Sequence, residues 1–159
     1  MSCNSTTRGI FNGGYQPAPT TIRVNNMEFI TFATTGNTQD FGDLTDDSQS
    51  TYGGTASSST RGLIGLGYVH PTRSNAIDFC TIATLGNAQD FGDLTEQNGN
   101  SATASDCIRG VRMGGSNGGS DNTTMDYIAI ATQGDAVDFG DLATGQGEGA
   151  GCSNAHGGL

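Results

Sequence analysis

Apolar and polar positions fall in one order three times along the chain, at Met27–Leu44, Ile77–Leu94 and Met125–Leu142. Each stretch opens apolar, acidic, aromatic: Met27-Glu28-Phe29, Ile77-Asp78-Phe79, Met125-Asp126-Tyr127. A β-rich run follows, ending in Ala-Thr, then a Gly turn, then Asp-Phe-Gly-Asp-Leu. The pattern predicts a strand at 29–34, 79–84 and 127–132, because alternate residues of a strand share a face. Phe29, Thr31 and Ala33 fall on one face, Ile30 and Phe32 on the other. The later copies put Cys80 and Ile82, or Ile128 and Ile130, on that second face. Both faces are apolar or small, which predicts sheets covered on both sides. The Gly-Asn or Gly-Asp steps at 36–37, 86–87 and 134–135 predict a hairpin into a second strand centred on Phe41, Phe91 or Phe139.

Two further strands precede each of these stretches. An Arg-Gly step enters a short apolar run at Arg8–Gly14, Arg61–Gly67 and Arg109–Gly115. Before it come the small-residue stretches Cys3–Thr6, Ala56–Ser59 and Ala104–Cys107. The expected fold is therefore all-β, with three four-stranded repeats at residues 1–50, 51–100 and 101–150, a partial copy at 151–159, and one domain overall. A repeat period near fifty is the signature of an architecture with one supersecondary unit per copy.

Composition agrees with short strands and tight turns: Gly is 26 of 159 residues, 33% are hydrophobic and Trp is absent. The net charge is −10 and all six basic residues are Arg. That balance argues against nucleic acid and against anionic lipid as partners. No apolar run is long enough to span a bilayer as a helix, and the first residues carry no basic-then-apolar secretory pattern. No membrane insertion is expected.

The candidate chemistry is thin. Asp-Phe-Gly at 40–42, 90–92 and 138–140 is a magnesium-holding string in kinases, but this chain has no Lys to accompany it. Its expected role is structural, with Phe41, Phe91 and Phe139 as core residues. The paired acids Asp40/Asp43, Asp90/Asp93 and Asp138/Asp141 offer too few oxygens for calcium. Arg8, Arg61 and Arg109 hold one place in each copy and are expected to clamp carboxylates or backbone carbonyls. Cys3, Cys80, Cys107 and Cys152 lack a C-x-x-C pair. Cys3, Ala56, Ala104 and Cys152 align, which predicts a small buried residue there. His70 and His156 stand alone, without a nucleophile at triad spacing. No cofactor, metal site or enzymatic activity is expected.

The run from Ile10 to Gly14 resembles the Gly-Gly strand of kelch repeats, and Met27–Thr34 resembles the strand that follows it in that family. The three Phe anchors sit near where kelch repeats carry Trp. The stretch Ile77–Thr95 is similar to kelch-like arrays in structural proteins of marine phages and cyanophages. The resemblance implies a propeller-like or pseudo-threefold β arrangement. It also implies a non-enzymatic virion protein of a tail, fibre or capsid-surface appendage. Its expected partners are other virion proteins and a host-surface receptor or glycan. The alternative is a kelch-like protein- or glycan-binding adaptor of cellular origin. Loops at Gln16–Asn26, Val69–Ala76 and Ser116–Thr124 differ between copies and would be the presented surface. Three copies are fewer than the four to eight blades of closed propellers, so a homo-oligomer is expected. The terminal segment Gly151–Leu159 is expected to pair within or between chains.

Overall fold

A computed structural model describes residues 2–16, 22–48, 54–69 and 71–152. His70, His156 and all of the terminal segment beyond residue 152 lie outside the described residues. The described chain is all-β, in three antiparallel sheets. The first contains β1 (Ser2–Asn4), β2 (Arg8–Gln16), β3 (Ile22–Thr31) and β4 (Gln39–Ser48), joined in that order. The second contains β5 (Thr55–Ser57), β6 (Arg61–Gly65), β9 (Ala76–Thr81) and β10 (Gln89–Asp93). The third contains β11 (Ala102–Ser105), β12 (Arg109–Met113), β13 (Thr124–Ala129) and β14 (Val137–Asp141).

A short hairpin, β7 (Tyr68–Val69) and β8 (Thr72–Arg73), interrupts the second block and adds itself to the first sheet through the pair Ser48↔Val69. The stretch 69–76, expected as a free loop, is therefore partly strand. The same holds for Ile22–Asn26, which begins β3.

Strand limits differ from the sequence expectation for two local reasons. The small-residue strands end early because a side chain caps the next turn. Ser5 Oγ accepts from the amides of Thr7 and Arg8 at 3.2 and 3.1 Å, and Ser58 Oγ does the same for Thr60 and Arg61. Asp106 Oδ1 takes that role for Ile108 and Arg109. Short polar side chains that bond the backbone two or three residues on compete with the ladder. The third strands also end early, at Thr31, Thr81 and Ala129. There Thr34, Thr84 and Thr132 bend back to donate backbone hydrogen bonds to those carbonyls. Ile82 and Ile130, read as strand residues, sit in this bend and point into the seam with the preceding sheet.

Each Asp-Phe-Gly is a β-bulge. Met27 pairs with Gly42 and Glu28 with Asp40, so Phe41 is the extra residue; Phe91 and Phe139 stand likewise in their sheets. A bulge re-aims the side chain and bends the strand. The following glycines have φ of 144°, 145° and 132°, a region L side chains seldom adopt. The motif is thus a backbone device that turns one Phe toward the next sheet.

The core lies between sheets, in two seams. In the first, Cys3, Ile10, Phe29, Phe41 and Leu44 meet Ile64, Leu66, Cys80 and Ile82. In the second, Leu63, Ile77, Phe79, Phe91 and Leu94 meet Ile128, Ile130 and Ala136. The middle sheet is buried on both faces, as the pattern of β9 implied. The end sheets are not, because among the described residues each has one neighbouring sheet.

Candidate functional site

The two seams are built from one set of contacts. In the first, the 82–88 turn of the second sheet lies on β4: Gly86 N donates to Phe41 O at 2.8 Å and Ala88 N to Asp43 O at 2.7 Å. Asp43 N donates to Asn87 Oδ1 at 3.1 Å. In the second, Gly134 N donates to Phe91 O, Ala136 N to Asp93 O, and Asp93 N to Asp135 Oδ1. The turn comes so close that a Cβ on Gly42 would stand 2.5 Å from Gly86, and one on Gly92 2.5 Å from Gly134. Farther in, the small residue of β1 or β5 fits against the Arg-Gly glycine of the next sheet. A Cβ on Gly62 would meet Cys3 Sγ at 2.4 Å, and one on Gly110 would meet Ala56 at 2.7 Å.

The repeated arginines span these seams. Arg8 Nη1 donates to the carbonyls of Ile82 and Ala83, at 3.0 and 2.9 Å. Arg61 Nη1 donates to Ile130 O at 2.9 Å. Arg8 stacks on Phe29 and Arg61 on Phe79, 4.8 and 4.7 Å from the ring centroids. The partners are carbonyls and rings; among the described residues no carboxylate forms an ion pair with these arginines. The Asp-Phe-Gly acids lie on β4, β10 and β14. Arg109 stacks on Tyr127 in the same way, at 4.9 Å, with no sheet beyond it among the described residues.

The core role expected of the three Phe residues divides. Phe41 and Phe91 are each 2% exposed and pack edge-on against Phe29 and Phe79. Phe139 is 50% exposed, although it keeps the same edge-on contact with Tyr127. The local geometry of the motif is intact; among the described residues no further sheet covers Phe139. The aligned small residues follow suit: Cys3 and Ala56 are buried, Ala104 is half-buried and Cys152 exposed.

A second set of buried groups was not singled out from the sequence. The acid after the opening apolar residue of each block is Glu28, Asp78 or Asp126. Glu28 is exposed on the first sheet, while Asp78 and Asp126 are buried in the seams. Asp78 accepts from the amide and hydroxyl of Thr45, at 2.8 and 2.7 Å, and burial raises its carboxyl above the ordinary range despite them. Asp126 accepts from Thr95 and is gripped by Arg112, whose Nη1 also reaches Gly114 O at 2.9 Å. Glu96, Asn122 and Asn98 extend this network through Asn122 Nδ2–Glu96 at 2.9 Å and Asn98 Nδ2–Gly114 O at 2.8 Å. The signal was available: an acid recurring inside an apolar run must find a partner when buried.

The Cys3 and Cys80 thiols, both buried and reduced, meet across the first seam. The hydrogen bond between them lowers Cys80, and together with burial it pushes Cys3 well above the usual thiol range.

Open hollows lie under the turns of the first two sheets, about 300 and 460 Å³, lined by residues such as Thr34, Asn37, Thr84 and Asn87. No nucleophile–base pair converges in either. Among the described residues no cluster of three or more His, Cys, Asp or Glu side chains forms, and no helix is long and apolar enough to cross a membrane.

Neither a family model nor a curated protein matches the chain. Among solved structures it is similar to one titled "Structure of YjhT", with a TM-score of 0.69 at 8% sequence identity, covering 92% of this chain and 52% of that one. The chain thus spans about half the length of that structure. A likeness at this identity speaks for the all-β fold alone.

Proposed function

We propose that the chain is a non-enzymatic structural protein of a phage virion, in which three kelch-like β repeats stack as propeller-like blades and hold loops outward. The observation that carries the structural reading is the reuse of one seam. The same amide–carbonyl bonds, the same arginine clamp and the same glycine approach join the first sheet to the second and the second to the third. A frame made this way is stiff and extendable, while the connectors between the second and third strand of each block differ in sequence. The exposed stretch 117–120 in the third block is one such surface. Binding surfaces are commonly loops held on a rigid scaffold.

The buried ionisable groups support a frame rather than a reaction. Asp78, Asp126 and Arg112 are hydrogen-bonded within the seams, and Arg112 lines a hollow of only about 20 Å³. The virion setting rests on the resemblance of the block motif to phage repeat arrays. Mass spectrometry of purified virions tests it. The chain should appear among the particle proteins; recovery only from the soluble cell extract would overturn the virion setting in favour of a cellular adaptor.

A further inference from the structure

We infer that the two end faces of this molecule dock on each other between two copies, head to tail, so that two chains close into one six-sheet assembly. The inference does not rest on the virion setting and can fail or stand without it.

The seam described above has a strand side and a turn side, each donating and accepting hydrogen bonds. Each end of the molecule displays one of them, uncovered among the described residues except along β11, where Gly149 and Gly151 lie against Ala102 and Thr103. The third sheet ends in the strand side: Phe139-Gly140-Asp141 repeats Phe41-Gly42-Asp43 and Phe91-Gly92-Asp93. A Cβ on Gly140, however, would find nothing closer than Met125 Cε at 3.9 Å, where its counterparts are crowded by a turn. Beside it Phe139 and Val137 are half exposed, and Arg109 has a ring beneath it but no carbonyl ahead of it. The first sheet ends in the turn side. Gly36-Asn37 stands where Gly86-Asn87 and Gly134-Asp135 make their bonds, and Phe32 stands where Ile82 and Ile130 are buried. Phe32 is 55% exposed and Phe11 45%. Exposed aromatics gathered on complementary end faces mark an interaction surface.

The occupant is identified by chemistry already present twice inside this chain. Docking would bring Gly36 N to Phe139 O, the Thr38 amide to Asp141 O, Asn37 Oδ1 to Asp141 N, and Arg109 to the Phe32 carbonyl. Gly86 and Gly134 have φ of 148° and 150°, which the free turn at Gly36 does not share, so this turn resets on docking. Phe32 now lies over Gly9, 3.1 Å from where its Cβ would be, and would swing aside for Ala104. One element of the seam is replaced: Ala143 holds the place of Thr45 and Thr95, leaving its amide as the donor to Glu28. Two copies carry six sheets among the described residues, within the range that closes a propeller. A head-to-tail interface either closes or runs on as a filament; the count of sheets favours closure at two.

The test is sedimentation velocity on the 159-residue chain across a concentration series. Salt should shorten the Debye length to about 8 Å, because two chains of charge −10 repel at low ionic strength. A dimer is expected. Phe32→Arg alters the turn side and Phe139→Arg the strand side; both positions are exposed in the monomer, and both changes make the net charge less negative. Each variant alone should be monomeric with an unchanged circular-dichroism spectrum. Their equimolar mixture should recover a heterodimer, since it contains one unmodified pair of faces. Three results would overturn the inference: a wild-type chain monomeric throughout, a dimer lost in only one of the two variants, or a mixture that stays monomeric. An open-ended ladder of species would overturn closure at two.

Discussion

Truncating the same Phe in the same motif should cost very different amounts in the second and third sheets. Phe91 is 2% exposed, packed edge-on against Phe79 with centroids 5.8 Å apart and enclosed by Leu94, Ile128 and Ala136. Phe91→Ala removes a fully buried ring and leaves a cavity that the neighbouring sheet cannot fill, a loss of about 4 kcal/mol. Phe139 has the same bulge and an edge-on partner at 6.2 Å, but half its surface is in solvent. Complete burial of such a ring is worth ~2–3 kcal/mol, and a half-exposed ring leaves no enclosed cavity when removed, so Phe139→Ala should cost about 1 kcal/mol. With a urea slope of ~2 kcal/mol/M, the midpoints should fall by about 2 M and about 0.5 M respectively. The comparison belongs at protein concentrations too low for association, which would otherwise cover Phe139. Equal costs for the two substitutions would refute the argument that a neighbouring sheet, and not the motif itself, makes the core.

Arg61→Lys should lower stability by about 1 kcal/mol in urea unfolding, because Lys cannot both stack on Phe79 and reach Ile130 O, whereas Arg109→Lys should change little in the monomer. Asp78 has a raised carboxyl pKa in the folded state, so the folded protein holds its proton at pH values where the unfolded chain has released it. Its contribution to stability falls as pH climbs from the ordinary carboxylate range through the folded pKa, and the gap between wild type and Asp78→Asn should shift toward the variant over that interval; a pH-independent gap refutes this. A thiol reagent on the native protein should label Cys152 and, more slowly, half-buried Cys107, while Cys3 and Cys80 react only after denaturation. Arg112→Ile should cost about 3–5 kcal/mol by stranding the buried Asp126 carboxylate, and urea unfolding of wild type and variant checks it.

The all-β class and the order of strands were legible because the block carries a two-residue alternation and a Gly turn at a fixed offset. The burial of Phe41 and Phe91 followed from the same pattern. Phe139 was misread for a reason no local pattern contains: its environment is decided by whether another sheet follows. Likewise, the hairpin Tyr68–Val69/Thr72–Arg73 joins the first sheet through a single pair with Ser48, a long-range choice invisible in its own residues. The arginines were read as equivalent, with carboxylates or backbone carbonyls as alternative partners, and in Arg8 and Arg61 the structure selects the carbonyls. In the fold Arg8 and Arg61 reach along the aromatic face to carbonyls of the next sheet. Asp78 and Asp126 were passed over because an acid at one place in an amphipathic strand reads as solvent-facing until both faces are known to be covered.

Those two acids also show how a repeated backbone tolerates divergent cores. Ile64 lies opposite Asp78 in the ladder of the second sheet, and Arg112 opposite Asp126 in the third. The preceding sheet supplies a Thr hydroxyl in both cases, from Thr45 and from Thr95. With Ile opposite, two hydrogen bonds from Thr45 are the main compensation for burying the carboxyl, and its pKa rises. With Arg opposite, the guanidinium neutralises Asp126 and uses its remaining fork on Gly114 O, tying the end of β12 to the network through Asn98 and Asn122. Hydrogen bonding to the charged form and an adjacent opposite charge are separate routes to the same end, a satisfied buried oxygen pair. The first sheet needs neither, because Glu28 lies on the open turn-side face. Should that face be covered by a second copy, Glu28 becomes the third buried acid of the series, and the amide of Ala143 is the donor placed to receive it.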